Sequence, residues 1–195
     1  MNTSYSGREV YERLIQAGEC LLAEKSARQC RGEELEAAAA VEAGSFDRFF
    51  DRMEELAGVV LDRVVKNTMA HCGELLAEDG GSLQRLDAMF AYWEEQAQQI
   101  DRLREDTDGE IPAMKGHILT CLDLYSQLAE SVEKWLQDAA AEGRVAVQDP
   151  AFTGRAIAFS LLSSRYAGGT ERELMSAVRG AFDSLLFVQR SALAC

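Results

Sequence analysis

Two histidines occur in the chain, His71 and His117, and each has a cysteine close by. His117 and Cys121 stand four apart, which on a helix puts both on one face. His71 and Cys72 are adjacent. Together these side chains could close a zinc or copper site if their helices met. Their spacing fits no tight metal motif, and the other reading is two core-edge histidines with two buried thiols. No metal and no cofactor are expected. Enzymatic chemistry finds no support: the sequence has no G-x-S-x-G, no H-E-x-x-H and no phosphate loop. Carboxylates are plentiful, but they sit on faces that helical periodicity gives to solvent. No catalytic residue is assigned and no enzyme is expected.

The charge balance narrows the partners. Asp and Glu number 33 against 20 Lys and Arg, a formal net charge of −13. Such a chain is repelled at long range by phosphate and by anionic lipid. Five cysteines, at 20, 30, 72, 121 and 195, form an odd set without C-x-x-C, so a reducing cytoplasm is the simpler setting. The N-terminus has no apolar core of signal-peptide type, and no run of about 18 apolar residues predicts a membrane span.

The elements that must position these residues read as helices throughout. Only Pro112 and Pro150 interrupt the chain, and alternating strand patterns are missing. Ser6 and Glu9 have capping-box spacing ahead of Val10, Leu14, Ala17 and Leu21. Residues 33–40 predict a short helix, and 42–50 a turn and then a second short helix. Long helices follow over 52–77 and from Ser82, read as an N-cap, to Leu103. Another runs near 113–142, breaking near Gly116. Asp149-Pro150 starts a helix over 151–166, and Thr170 with Glu173 caps the last. The class is all-α.

Residues 12–29, ERLIQAGECLLAEKSARQ, and 33–64, EELEAAAAVEAGSFDRFFDRMEELAGVVLDRV, resemble the first four helices of TetR-family regulators. Leu35, Ala37, Ala39, Val41, Gly44, Ser45, Phe46, Phe50, Glu54, Glu55, Leu56 and Val64 carry the likeness. Residues 135–159 are similar to the family's passage from its seventh to its eighth helix. The resemblance implies a TetR-like fold: a three-helix helix-turn-helix head over 1–50 and a helical ligand-binding and dimerisation body over 51–195. It implies a homodimer, a DNA operator read by the third helix, and a small apolar effector in the body.

The head departs from the family where DNA would be met. Glu42 and Ala43 replace a small polar residue and a lysine before Gly44. Asp47 replaces a tyrosine, Phe49 a histidine or tyrosine, and Ala40 a glycine. Residues 1–66 hold nine Lys/Arg and thirteen Asp/Glu, a net of 9 − 13 = −4. A head that neutralises phosphate needs the opposite sign. The DNA-facing set implied by the resemblance is Arg31, Glu42, Ala43, Gly44, Ser45, Asp47, Arg48 and Arg52. Its arginines could equally pair with Glu33, Asp47 and Glu55. Weak DNA binding is expected, with a protein partner as the alternative use of the same fold. In the body, Met89, Phe90, Trp93, Met114, His117, Cys121, Tyr125 and Phe159 are the candidate effector pocket, or plain core. Phe159, Leu162, Val178, Ala181, Phe182 and Leu185 are the candidate dimer seam.

Overall fold

The structure is a computed structural model that describes residues 5–107, 117–163 and 170–192; of 117–122, 162–163 and 187–192 it describes the backbone alone. Seven α-helices are present among the described residues: α1 Gly7–Glu24, α2 Gly32–Ala39, α3 Met53–Ala77, α4 Ser82–Asp106, α5 His117–Ala141, α6 Pro150–Ser163 and α7 Glu171–Ala192. Two 3-10 turns, Ala27–Gln29 and Phe46–Arg48, sit between α1 and α2 and between α2 and α3. No strand occurs among the described residues. No helix of theirs is long and apolar enough to cross a membrane.

Local chemistry explains most of the boundaries. At α1 the Glu9 N–H donates to Ser6 Oγ at 3.3 Å, and the Ser6 N–H donates to Glu9 Oε2 at 2.7 Å, a reciprocal capping box. Thr170 and Glu173 repeat the device at α7, at 2.8 and 3.2 Å. Pro150 opens α6, with the Phe152 N–H donating to Asp149 Oδ1 at 2.9 Å. Two readings need correcting. Ser82 is not a cap of the ordinary kind: its N–H and hydroxyl both donate to the Glu142 carboxylate, at 2.9 and 2.6 Å. Within 42–50 the expected turn is followed not by a second short α-helix but by the single 3-10 turn Phe46–Arg48.

The described residues fall into two compact units, 5–65 with 99–107, and 66–98 with 117–163 and 170–192. In the first, Leu14, Leu22, Leu35, Phe46, Phe50, Leu56 and Val60 form a core that Ile100 and Leu103 complete. A Cβ on Gly18 would lie 3.1 Å from Leu56 Cδ2, so this glycine sets how closely α1 approaches α3. In the second, Met69, Leu76, Phe90, Trp93, Leu128, Trp135, Leu136 and Phe182 are the heart of the core. Arg85 is buried there and donates from Nη1 to the carbonyls of Leu76 and Glu78, both at 2.9 Å. Its Nη2 meets Asp138 Oδ2 at 2.9 Å. The end of α3 is thus capped by a buried guanidinium from α4.

Candidate functional site

The segment expected to face DNA is built outward from α2. Its inner face carries Gly32, Leu35, Glu36 and Ala39, spaced three, one and three apart, the period of a buried helical stripe. Arg13 Nη1 reaches the Ala39 carbonyl at 3.3 Å from α1. Ala40 then leaves the helix with φ 53°, and Gly44 follows with φ 81°. Two left-handed residues in five reverse the chain and lead into Phe46–Arg48. Phe46 lies against Gly32, whose added Cβ would be 3.1 Å from Phe46 Cδ1. Phe46 also stacks on Phe50 at 5.7 Å, and Tyr11 meets Phe49 and Phe50 at 5.6 Å each. Burial pushes the Tyr11 hydroxyl above its ordinary pKa, with Glu12 and Glu55 adding to the effect.

Around this aromatic wedge the structure places Arg31, Glu42, Ala43, Gly44, Asp47, Arg48 and Arg52 exposed, and Ser45 buried. Phe49, where the family has a polar ring, turns toward Tyr11 instead of outward. The exposed surface therefore mixes three guanidinium groups with the carboxylates of Glu42 and Asp47. Each carboxylate there cancels part of the field that the arginines set up.

In the second unit, Met89, Phe90 and Trp93 of the expected effector cluster share one core with Tyr125 packed against it, while Phe159 stands apart. Met89, Phe90 and Trp93 are buried in the core. Phe90 stacks on Trp93 at 6.2 Å and meets Phe182 edge-on at 6.1 Å. The Trp93 indole N–H donates to Glu171 Oε1 at 2.9 Å. Tyr125 is half-buried, its hydroxyl 3.5 Å from the Arg155 carbonyl, and Phe159 is 64% exposed. Met114 and the side chains of His117 and Cys121 lie outside the described residues. An open groove of about 400 Å³ lies elsewhere, between α3 and α5, over Met69, Gly73, Leu124 and Leu128, with Glu74, Glu130 and Lys134 among its polar lining. Sequence reasoning missed it, since a groove arises where small residues of two helices meet and neither helix signals it alone.

The residues expected to form a dimer seam divide as well. Phe182 is buried in its own core, 5.0 Å from Trp135 and edge-on to it. Val178 and Leu185 pack partly against that core. Phe159 and Ala181 are exposed, and the side chain of Leu162 lies outside the described residues. Phe152, not among the expected seam residues, is 65% exposed and shares the α6 face of Phe159, seven residues on.

The metal-ligating candidates are also placed in part. His71 Nδ1 lies 2.9 Å from Glu74 Oε2, its ring sits edge-on to Tyr92 at 4.5 Å, and Cys72 is buried. Among the described residues, no three His, Cys, Asp or Glu side chains gather closely enough to hold a metal ion.

Solved structures share this architecture. A transcriptional regulator from Cytophaga hutchinsonii is similar with TM-score 0.59 at 14% identity, over 91% of this chain and 97% of that one. A TetR-family transcriptional regulator from Pectobacterium atrosepticum gives 0.57 at 16% identity, over 95% and 97%. The regulatory protein TetR from Rhodobacter sphaeroides gives 0.51 at 18% identity, over 89% and 96%. No family model matches the sequence, and no curated protein matches it. The fold is the all-α TetR type, and at these identities the likeness is one of fold.

Proposed function

We propose that this chain of TetR-type fold is a dimeric transcriptional regulator of the TetR family whose head holds DNA weakly. The observation that carries the proposal is the outward placement of Arg31, Glu42, Asp47, Arg48 and Arg52 around the turn that the resemblance assigns to the major groove. Cationic groups remain there, but two carboxylates share their surface. Binding of this kind is dominated by screened charge and falls steeply with salt. Gel shifts and genomic capture with the purified protein test it. Retardation confined to low salt is expected. Nanomolar sequence-specific binding at physiological salt would make the head a full-strength reader instead.

A homodimer through α6 and α7 is part of the proposal. Its support is the pair Phe152 and Phe159, both about two-thirds exposed on one face of α6. On α7 the small exposed residues Ala177, Gly180, Ala181 and Ser184 share a face and would let a second helix approach closely. Light scattering at micromolar concentration checks it, and a monomer there would end it. For the small effector, the groove between α3 and α5 is the better location, because the Phe90–Trp93 cluster is filled by its own rings. The setting is cytoplasmic, and no enzymatic step is assigned.

A second reading has specific support in Glu42 and Asp47. The same carboxylates suit a head that has given up its operator and engages a protein partner. Failure to bind DNA at any salt, with an intact dimer, would favour this reading.

A further inference from the structure

We infer that Glu36 is the positioning residue of the head: its buried carboxylate fixes the Phe46–Arg48 turn against α2 and so decides which side chains of that turn face outward. The inference rests on the reading of that turn as the head's contact surface.

Glu36 is 7% exposed, an unusual place for a carboxylate on a short surface helix. Its Oε1 accepts the Phe46 N–H at 2.7 Å. Its own backbone carbonyl accepts the Val41 N–H at 3.1 Å. One residue therefore grips both ends of the connection from Ala40 to Ser45. Within that connection lie the two left-handed residues Ala40 and Gly44, which reverse the chain but do not by themselves hold it at one angle. The Phe46 N–H opens the 3-10 turn and so has no acceptor within it. It is buried, and an unpaired buried donor is costly. A charged acceptor makes the stronger bond, and here it is the acceptor that α2 supplies. The Phe46 ring is wedged at Gly32, so the turn cannot slide closer to α2. With the ring blocked on one side and the amide tied on the other, Ser45 is held inward while Asp47 and Arg48 are held outward.

Amide hydrogen exchange followed by NMR tests this on the full-length protein. The wild-type Phe46 amide should exchange at least roughly tenfold more slowly than that of Asp47 in the same turn. Glu36→Ala should remove roughly tenfold or more of that protection, with shift changes concentrated between residues 41 and 50. Glu36→Gln should keep most of it, since its amide oxygen can accept the same bond. Equal protection of Phe46 in wild type and Glu36→Ala overturns the inference. Should Glu36→Ala fail to fold, the wild type decides: a Phe46 amide exchanging as fast as that of Asp47 is fatal. The readout needs no DNA. A failed gel shift would count against the proposed function and leave this result standing, and the reverse also holds.

Discussion

Asp106 Oδ2 accepts a 2.8 Å hydrogen bond from the Ala27 backbone N–H, across 79 positions of sequence. Both groups are buried. The last turns of α4 also bring Arg102 Nη1 to the Ala23 carbonyl and insert Ile100 and Leu103 into the first unit's core. The first compact unit is therefore not a property of the N-terminal residues alone. Its α1–α2 connection is pinned by a helix that starts at Ser82.

The first prediction follows from that bond. Asp106→Ala leaves the Ala27 N–H buried without an acceptor and should cost about 1–3 kcal/mol. Asp106→Asn retains an accepting oxygen and should lose less. Urea denaturation of both variants measures the difference. Equal stability of wild type and Asp106→Ala would show that water reaches the amide and that the bond matters little.

Ala40 stands in the left-handed region with φ 53°, which an L-residue with a Cβ adopts at a cost. Glycine ends helices there without that penalty. Ala40→Gly should stabilise the protein by roughly 0.5–1 kcal/mol, the strain relieved exceeding the added entropy of the unfolded chain. Thermal and urea unfolding should both move upward. A lowered stability would mean that the Ala40 methyl makes contacts worth more than the strain.

Gly154 marks a close approach of α6 to α5. A Cβ there would lie 3.0 Å from both the Ala129 carbonyl oxygen and the Glu133 nitrogen. Both are backbone atoms of α5, so neither can turn aside. Gly154→Ala should destabilise by about 1–3 kcal/mol, in spite of alanine's better helix propensity. Gly7, at the start of α1 with open space around it, is the control: Gly7→Ala should be neutral or stabilise slightly. If both variants gain stability, the two helices have more freedom than this crossing implies.

The contact between Ser82 and Glu142 predicts a pH dependence. The Ser82 hydroxyl, and after it the Ser82 N–H, hold the Glu142 carboxyl below its usual 4.5. A carboxylate whose folded pKa is lowered adds stability above the unfolded value, and that stability is lost as pH falls through the folded one. The melting temperature of wild type should therefore exceed that of Glu142→Gln near neutrality, and the gap should narrow as the solution is acidified below 4.5. A gap independent of pH would assign the effect to packing.

The helices were legible because their signals are local. Ser6 with Glu9, Thr170 with Glu173, and Asp149 before Pro150 each act within one turn, and the structure forms all three. What was not legible depends on partners far away in sequence. Ser82 looks like a cap until Glu142, sixty positions on, is seen to take both its donors. Phe182 repeats with Val178 and Leu185 as an apolar seam, but periodicity does not say whether a seam meets its own core or a second copy. Its ring goes to Trp135. Glu36 carried a weak signal that could have been used: it shares a helical face with Leu35 and Ala39, so its carboxylate had to be buried or the face broken.

The last prediction concerns the exposed carboxylates of the head. Glu42 and Asp47 lie outward on the proposed contact surface, with Ala43 and Arg48 beside them in sequence. At roughly 4–6 Å from a phosphate, a carboxylate costs on the order of 1 kcal/mol even near water. Each cation regained both adds affinity and steepens the dependence on salt. The triple variant Glu42→Ser, Ala43→Lys, Asp47→Tyr changes only exposed positions, so the aromatic wedge of Phe46, Phe50 and Tyr11 and the Glu36 tie should survive. Its net charge rises by three, two from the lost carboxylates and one from the lysine. Gel shifts across a salt series should show DNA binding tens to hundreds of times tighter than wild type at low salt, with a slope larger by roughly one to three counterions. Intact folding is checked first by circular dichroism. A folded triple variant that binds no better than wild type would show that the deficit lies in the presentation of the turn rather than in its charge. Glu36, which sets that presentation, would then become the next residue to change.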